Sequence, residues 1–431
     1  APPADAVEYY TNFQLWFGVA IALLSGTGQF FWWNNMDQNK LKNAIITPII
    51  ITLMISIIVI VVIKITEPRY LILLTAGIYS IIANSFILAK ILKGKFNLSG
   101  GSIAHIGVAM VLIGIMFSSG FSRVISLNNS GLLIFKDPTG EMAQQNLENV
   151  ILWLNEPRTM EEFELTYKGP RYEVAGFPGF IKNNQIEPTR DPYKAIAIED
   201  LLVNNKKYFS KGDTVRVHPE NTYYEVEYST EGGEKFVLFP RLQVNPTMGN
   251  IASPDIKRNF NKDLYTHISA ALNMEEREWS QTQEVSAKVG ERFFINDYVA
   301  VLEGLERVTE VEDIELGPED VAVKAKINIF GKTVDHVAEP IYIIKDRMAA
   351  RPPVTIEDLG LKIALNEIKP ESNTFTFGFN TTQKDYIVLK AIEKPMINIL
   401  WIGTFMLVFG FLIAISRRYS EFIKMRDKGI E

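Results

Sequence analysis

The sequence predicts a polytopic α-helical membrane protein of about five transmembrane helices, with a large, mainly β external domain inserted before the last helix. Three observations lead there. Long uncharged apolar runs fill much of residues 13–121 and return in 395–416, and a run of roughly 20 apolar residues spans the hydrocarbon core of a bilayer. Between them, residues 122–394 read as short alternating or β-branched runs separated by turn residues. The averages describe a composite: 47% of the 431 residues are hydrophobic, yet the mean hydropathy is only +0.06, too polar for a purely membrane chain and too apolar for a wholly soluble one.

Residues 1–12 carry Pro2, Pro3, Asp5 and Glu8 but no Lys or Arg, so they read as an external N-terminal loop without the charged n-region of a signal peptide. Phe13–Trp33 is the first span, and its closing Phe30-Phe31-Trp32-Trp33 belongs in an interfacial aromatic belt. Lys40 and Lys42 fall in a short loop before the second span, Ala44–Ile63, whose Pro48 is tolerated near a helix start. After a very short loop, Lys64–Arg69, the third span runs from Tyr70 to Ala89; its Thr75, Tyr79, Ser80, Asn84 and Ser85 suit a helix packed inside a bundle. Gly100–Phe121 is the fourth span and Met396–Ser416 the last, completing a four-helix region at 13–121 and a final helix at 395–416.

Lys and Arg cluster after spans one, three and five: Lys40 and Lys42; Lys90, Lys93 and Lys95; and Arg417, Arg418, Lys424, Arg426 and Lys428 in the basic tail 417–431. Those clusters mark the cytoplasmic side. The N-terminus and residues 122–394 are then periplasmic, across a bacterial inner membrane. An external start at Ala1 without a signal suggests the end of a longer polytopic protein or one piece of a split one.

Within the external domain, Thr214–Val217, Tyr223–Tyr228, Lys235–Phe239, Val321–Phe330, Ile341–Lys345 and Tyr386–Lys390 have strand character. Glu231-Gly232-Gly233-Glu234 between two of these predicts a hairpin. Lys211–Val215 echoes Val289–Phe293, a hint of two related β units, and the acidic stretch Glu310–Asp320 reads as solvated loop.

A net charge of −6 and a pI near 5.6 give no footprint for nucleic acid. The absence of cysteine removes disulfides, iron–sulfur ligation and Cys-based zinc sites. No phosphate-binding glycine loop or nucleophile elbow occurs. Of the four histidines, His218, His267 and His336 stand alone among polar residues and read as surface residues.

His105 differs, because it lies inside the apolar fourth span. At helical spacing Gly101, His105, Val108, Ala109 and Leu112 share a face, so the imidazole is flanked by very small residues and something flat and wide could lie against it. Gly100, Ala104, Gly107, Val111, Gly114 and Ser118 form a second, mostly small stripe that lets a neighbouring helix come close. Two readings of His105 stand: a hydrogen bond to a neighbouring helix, or ligation of a metal, foremost the iron of a heme between helices.

The segment Gly101–Ala109, with Ile113-Gly114 and Phe117-Ser118-Ser119, is similar to the late histidine-bearing helix of the CcmF family, the large polytopic heme lyase subunit of cytochrome c maturation. Pro240-Arg241, Pro254-Asp255-Ile256 and Lys262-Asp263-Leu264-Tyr265 resemble its periplasmic segment. Lys394-Pro395, Trp401, Gly403, Met406, Gly410 and Arg417-Arg418 resemble its last helix and basic exit. The resemblance covers the C-terminal half of that family. It implies that His105 is one axial ligand of a membrane-embedded heme b whose second axial ligand lies outside this chain. It also implies heme attachment to the two thiols of a Cys-x-x-Cys-His motif on apocytochrome c. The family's WWD segment and its two heme-holding external histidines have no match here; Phe31-Trp32-Trp33-Asn34-Asn35 lacks that pattern. The N-terminal half, or an upstream WWD-containing subunit, is therefore an expected partner, with a heme chaperone, apocytochrome c and membrane lipid. The chain is expected to be inactive alone. The competing expectation is a non-enzymatic membrane scaffold or transporter subunit that presents the β domain to a partner while His105 only packs.

Overall fold

Apolar runs free of helix breakers fold as the helices the hydropathy pattern calls for, and the β-branched runs pair into sheets. The structure, a computed structural model, describes residues 6–32, 38–91, 96–129, 131, 134, 140–245, 247–272, 278–309, 311, 317, 320–331, 334–345 and 348–427. The chain divides into two compact units. One comprises Ala1–Val124, Ile256–Tyr265 and Ile392–Glu431, and the other Ile125–Asp255 and Thr266–Ala391.

The first unit holds helices α1 (Ala6–Trp32), α2 (Gln38–Ile63), α3 (Pro68–Phe86) and α4 (Gly100–Gly120); α5 (Gly140–Glu148) belongs to the second unit, and α6 (Ile397–Asp427) returns to the first. Among the described residues four helices, at Ile45–Ile63, Pro68–Ala89, Gly100–Gly120 and Ile397–Asp427, are long and apolar enough to cross a membrane; α1 is not among the four. The most apolar windows of the α3 and α4 spans are 56% buried and those of α2 and α6 only 17%, so α3 and α4 form the centre and α2 and α6 the rim. The rim of α2 exposes Ile50, Leu53, Met54, Ile57, Ile58, Val61 and Val62, a continuous surface suited to hydrocarbon and not to water.

Three local expectations are corrected here. The N-terminal segment is helical from Ala6, because Val7, Tyr9 and Tyr10 extend the apolar run; residues 1–5 lie outside the described residues. Phe30 is not in an interfacial belt: it is 1% exposed and packs with Tyr79, Ala83 and Ile87, while Trp33 lies outside the described residues. Gln38 opens α2, so the backbone of Lys40 and Lys42 is helical and Pro48 lies inside the helix. The missing amide of Pro48 leaves the ladder one bond short, and the buried Thr52 hydroxyl donates to the Pro48 carbonyl at 2.7 Å. The expectation for α3 holds at Tyr79, Ser80 and Asn84, all buried, whereas Ser85 is exposed.

The second unit is mainly β. One of its cores lies between the sheet formed by Gln283–Ala287, Val354–Ile356, Leu361–Lys369 and Thr374–Thr381 and a second sheet built around Tyr298–Val308 and Val321–Phe330; Ile295, Leu302, Ile327, Leu365 and Phe377 fill it. Thr214–Val217 and Tyr223–Tyr228, expected as two strands, are one strand, Thr214–Thr230. Register shifts between Val217 and Thr222 and between Tyr224 and Val226 absorb the intervening polar residues without ending the pairing. The hairpin forms as expected, with Ser229 opposite Lys235 and Gly233 at φ +83. Val321–Phe330 and Ile341–Lys345 are strands with those bounds. The echo of Lys211–Val215 in Val289–Phe293 is one shared turn: Asp213 accepts the Ser210 amide and Glu291 the Lys288 amide. The strand after the first turn pairs with the upstream Lys194–Ala197, the strand after the second with the downstream Tyr298–Val308, so the likeness stops at the turn. Most of Glu310–Asp320 lies outside the described residues.

Candidate functional site

The site is built around α4, and the glycines of that helix decide how His105 is presented. A Cβ on Gly100 would stand 2.8 Å from the backbone of Gly410 and Ala414, and one on Gly107 2.5 Å from the Leu407 nitrogen; Gly114 meets the backbone of Leu400 just as closely. From the other side, Gly403 and Gly410 of α6 abut Gly107, Val111, Gly100 and Ala104. Each helix thus offers glycine every seventh residue, and the two run antiparallel at near backbone contact, as small-residue seams allow. The small stripe expected on α4 is this seam.

His105 and Gly107 are two residues apart, about 200° around the helix, so the seam turns the imidazole away from α6. Leu112, two turns along the same side as His105, packs near Gly18 of α1; Ile113 packs against Gly77 of α3. His105 is therefore turned away from α6, half-buried, on the side of α4 where Leu112 meets α1. Among the described residues the imidazole has no hydrogen-bond or ion-pair partner. The flat space expected beside it is half filled: Gly101 is exposed, but Ala109 is fully buried against α3.

Sequence reasoning missed the degree of polarity inside α3. Asn84 donates to the carbonyls of Ser25 at 3.0 Å and Ser80 at 2.9 Å, while Asn84 Oδ1, the Ser80 hydroxyl and the Tyr79 hydroxyl are buried with no partner among the described residues. Buried polar atoms of this kind cost roughly 1–3 kcal/mol each. They gather where Gly26 of α1 meets Tyr79 and Ser80. The only advance signal was the polar content of the third span.

The other three histidines belong to the second unit. His218 lies in Thr214–Thr230, 3.5 Å from Glu220; His267 lies in Lys262–Ala271 and His336 in His336–Ala338. All are strand residues of intermediate exposure, reaching the surface. Among the described residues no group of three His, Cys, Asp or Glu side chains is placed to hold a metal ion.

Two further charged features were not legible beforehand. In the first unit, Glu393 on the strand Tyr386–Pro395 lies between Arg123, at 3.0 Å, and Lys262, on strands that flank it in one sheet. Burial pushes its carboxyl up, but the hydrogen bonds from Lys262 and Arg123 outweigh this and hold it below the usual carboxylate range. Immediately after this cluster Met396 takes φ +54, and the Asn398 side chain donates to the carbonyls of Asn259 and Phe260, fixing the entry to α6. In the second unit a cleft of about 480 Å³ is lined by Trp153, Glu156, Asp297, Tyr298, Phe330 and Lys384. Burial works against the Lys384 charge, yet hydrogen bonds to Glu156 and Tyr298 raise its pKa.

A heme asks of a protein an axial donor with a free lone pair and a wide apolar flank. His105 fits one axial position, and it is the single histidine of the helical unit. Comparison with known protein families finds no model that matches the chain, and comparison with curated proteins finds no significant relative.

Proposed function

We propose that this chain is the C-terminal part of a cytochrome c biogenesis heme lyase, in which His105 supplies one axial ligand to a heme b held in the membrane. The observation that carries the reading is the half-buried imidazole of His105, presented away from the glycine seam and without a partner among the described residues. Neutral imidazole offers one nitrogen lone pair at the ring edge, and α4, clamped between α3 and α6, holds that atom in a fixed direction. The second axial ligand comes from outside this chain. A heme held there would supply one-electron chemistry toward the heme being attached, with its electrons coming from a donor outside this chain, since thioether formation favours ferrous iron. The chain's own part is to orient the ligand and exclude water around it with the apolar flank of α1.

On this reading the β domain docks apocytochrome c or a heme chaperone on the periplasmic side of a bacterial inner membrane. The cleft at Trp153, Tyr298 and Lys384 offers the aromatic and charged groups that such docking uses. Helix α1 would be a fifth span, and the chain would be active only with the N-terminal half or an upstream WWD-containing subunit. The scaffold or transporter-subunit reading is favoured by one observation, the full burial of Ala109, which narrows the space beside His105.

The deciding experiment is an oxidised and dithionite-reduced absorption spectrum of the chain purified with whatever is encoded immediately upstream, for wild type and His105→Ala. A low-spin b-type spectrum that disappears in the variant is expected. A colourless wild-type complex, or unchanged heme in His105→Ala, would overturn the ligand assignment.

A further inference from the structure

Helix α6 continues well beyond the length a bilayer requires, and its last turns change character along one face. A cleft of about 460 Å³, within the range of about 300–1,000 Å³ usual for small-ligand sites, lies between the short turn Phe96–Leu98 and this face. One end is apolar: Phe96, Leu98, Phe409, Leu412 and Ile413, with the Phe96 and Phe409 rings 6.1 Å apart. Ser416, Arg417, Ser420, Glu421 and Lys424 follow toward the other end. From Ile413 to Lys424 the helix rises roughly 16 Å at 1.5 Å per residue. The wall therefore runs from hydrocarbon to a polar end in which hydroxyls and charges alternate.

The charged end retains donors. Arg417 gives its Nε–H to Glu421 at 2.7 Å, which leaves its terminal N–H groups, and Lys424 has no ion pair or hydrogen bond among the described residues. Ser420 donates to the Ser416 carbonyl at 2.9 Å, so the Ser416 hydroxyl is the free donor midway. Glu421 offsets one of the two cations, and Arg418 at 3.4 Å shares it. The balance at the rim is positive.

We propose that this cleft is a binding site for an anionic phospholipid, its acyl chain along Phe96, Phe409 and Leu412 and its phosphate at Ser416, Arg417 and Lys424. An amphiphile lying along α6 matches the order of the lining groups, and basic pockets beside membrane helices select anionic head groups. The site stands independently of His105 and of any heme.

The test is native mass spectrometry of the full chain in non-ionic detergent, offered equal amounts of phosphatidylglycerol and phosphatidylcholine with identical acyl chains. Phosphatidylglycerol adducts should exceed phosphatidylcholine adducts by about tenfold. The double variant Arg417→Gln, Lys424→Gln should bring the two lipids to parity. Arg418→Gln with Arg426→Gln removes the same charge outside the cleft and should keep the preference. Millimolar inorganic phosphate should leave the adduct in place. Equal retention of both lipids by wild type, equal loss in both double variants, or displacement by inorganic phosphate would each overturn the proposal. All four side chains lie on the polar end of an exposed helix, and matching elution profiles of the variants exclude misfolding as the cause.

Discussion

His105 is presented by residues on the opposite side of its helix. The seam partner Gly107 fixes the rotation of α4, and the imidazole goes where that rotation sends it. His105→Ala removes no contact that the helix needs, so membrane insertion and elution of the variant should match wild type, since loss of a polar group makes the segment no harder to insert; reduced membrane recovery would show that His105 packs instead. Glu393 is the residue with a pH signature. Its folded pKa lies below the ordinary value of 4.5, so the stability it contributes is fully present above about pH 4.5 and is lost as pH falls through the lowered folded value. Glu393→Gln should cost about 1–3 kcal/mol at neutral pH and show a shallower loss of melting temperature between pH 5 and about pH 3. Parallel melting curves for variant and wild type across that range would remove the ion cluster from the account.

At the scale of elements, the packing of α4 on α6 depends on absent side chains. Gly107→Ala puts a methyl 2.5 Å from the Leu407 nitrogen, which backbone must move to accept. The expected loss is about 1–3 kcal/mol, read as thermal unfolding in detergent. Gly28 in α1 is the control, because a Cβ there meets nothing within 4 Å; Gly28→Ala should be neutral or slightly stabilising through helix propensity. Equal effects of the two substitutions would mean that the seam is not close-packed in solution. The long strand Thr214–Thr230 makes the complementary point for the sheets. His218 to Asn221 read as a break between two strands, yet one partner strand, Phe163–Val174, carries the ladder across by shifting register.

At the scale of the whole molecule, the absence of cysteine makes topology directly measurable. The distribution of Lys and Arg predicts that Gly232→Cys, at the exposed hairpin tip, reacts with a membrane-impermeant maleimide in intact spheroplasts. Met425→Cys, near the end of α6, should react only after the membrane is opened. The reverse pattern would invert the orientation, and labelling of both from outside would remove α6 as a span. The exposed apolar rims of α2 and α6 require a nonpolar surround for the isolated unit.

The sequence by itself determined the helices at α2, α3, α4 and α6, the β character of residues between them, the hairpin at Gly232-Gly233 and the singling out of His105. Each of these rests on local terms, apolar run length, side-chain alternation and turn chemistry, which near neighbours in the chain carry. Helix starts at Ala6 and Gln38 escaped it because polar residues at a helix end do not prevent the helix from extending. Only the tertiary structure decided that Gly403 and Gly410 meet Gly100, Gly107 and Gly114, that Glu393 joins Arg123 and Lys262, and that Phe30 is buried against Ile87. Those outcomes pair residues far apart in the chain, and backbone close approach and charge pairing depend on distance in space, which no local pattern encodes.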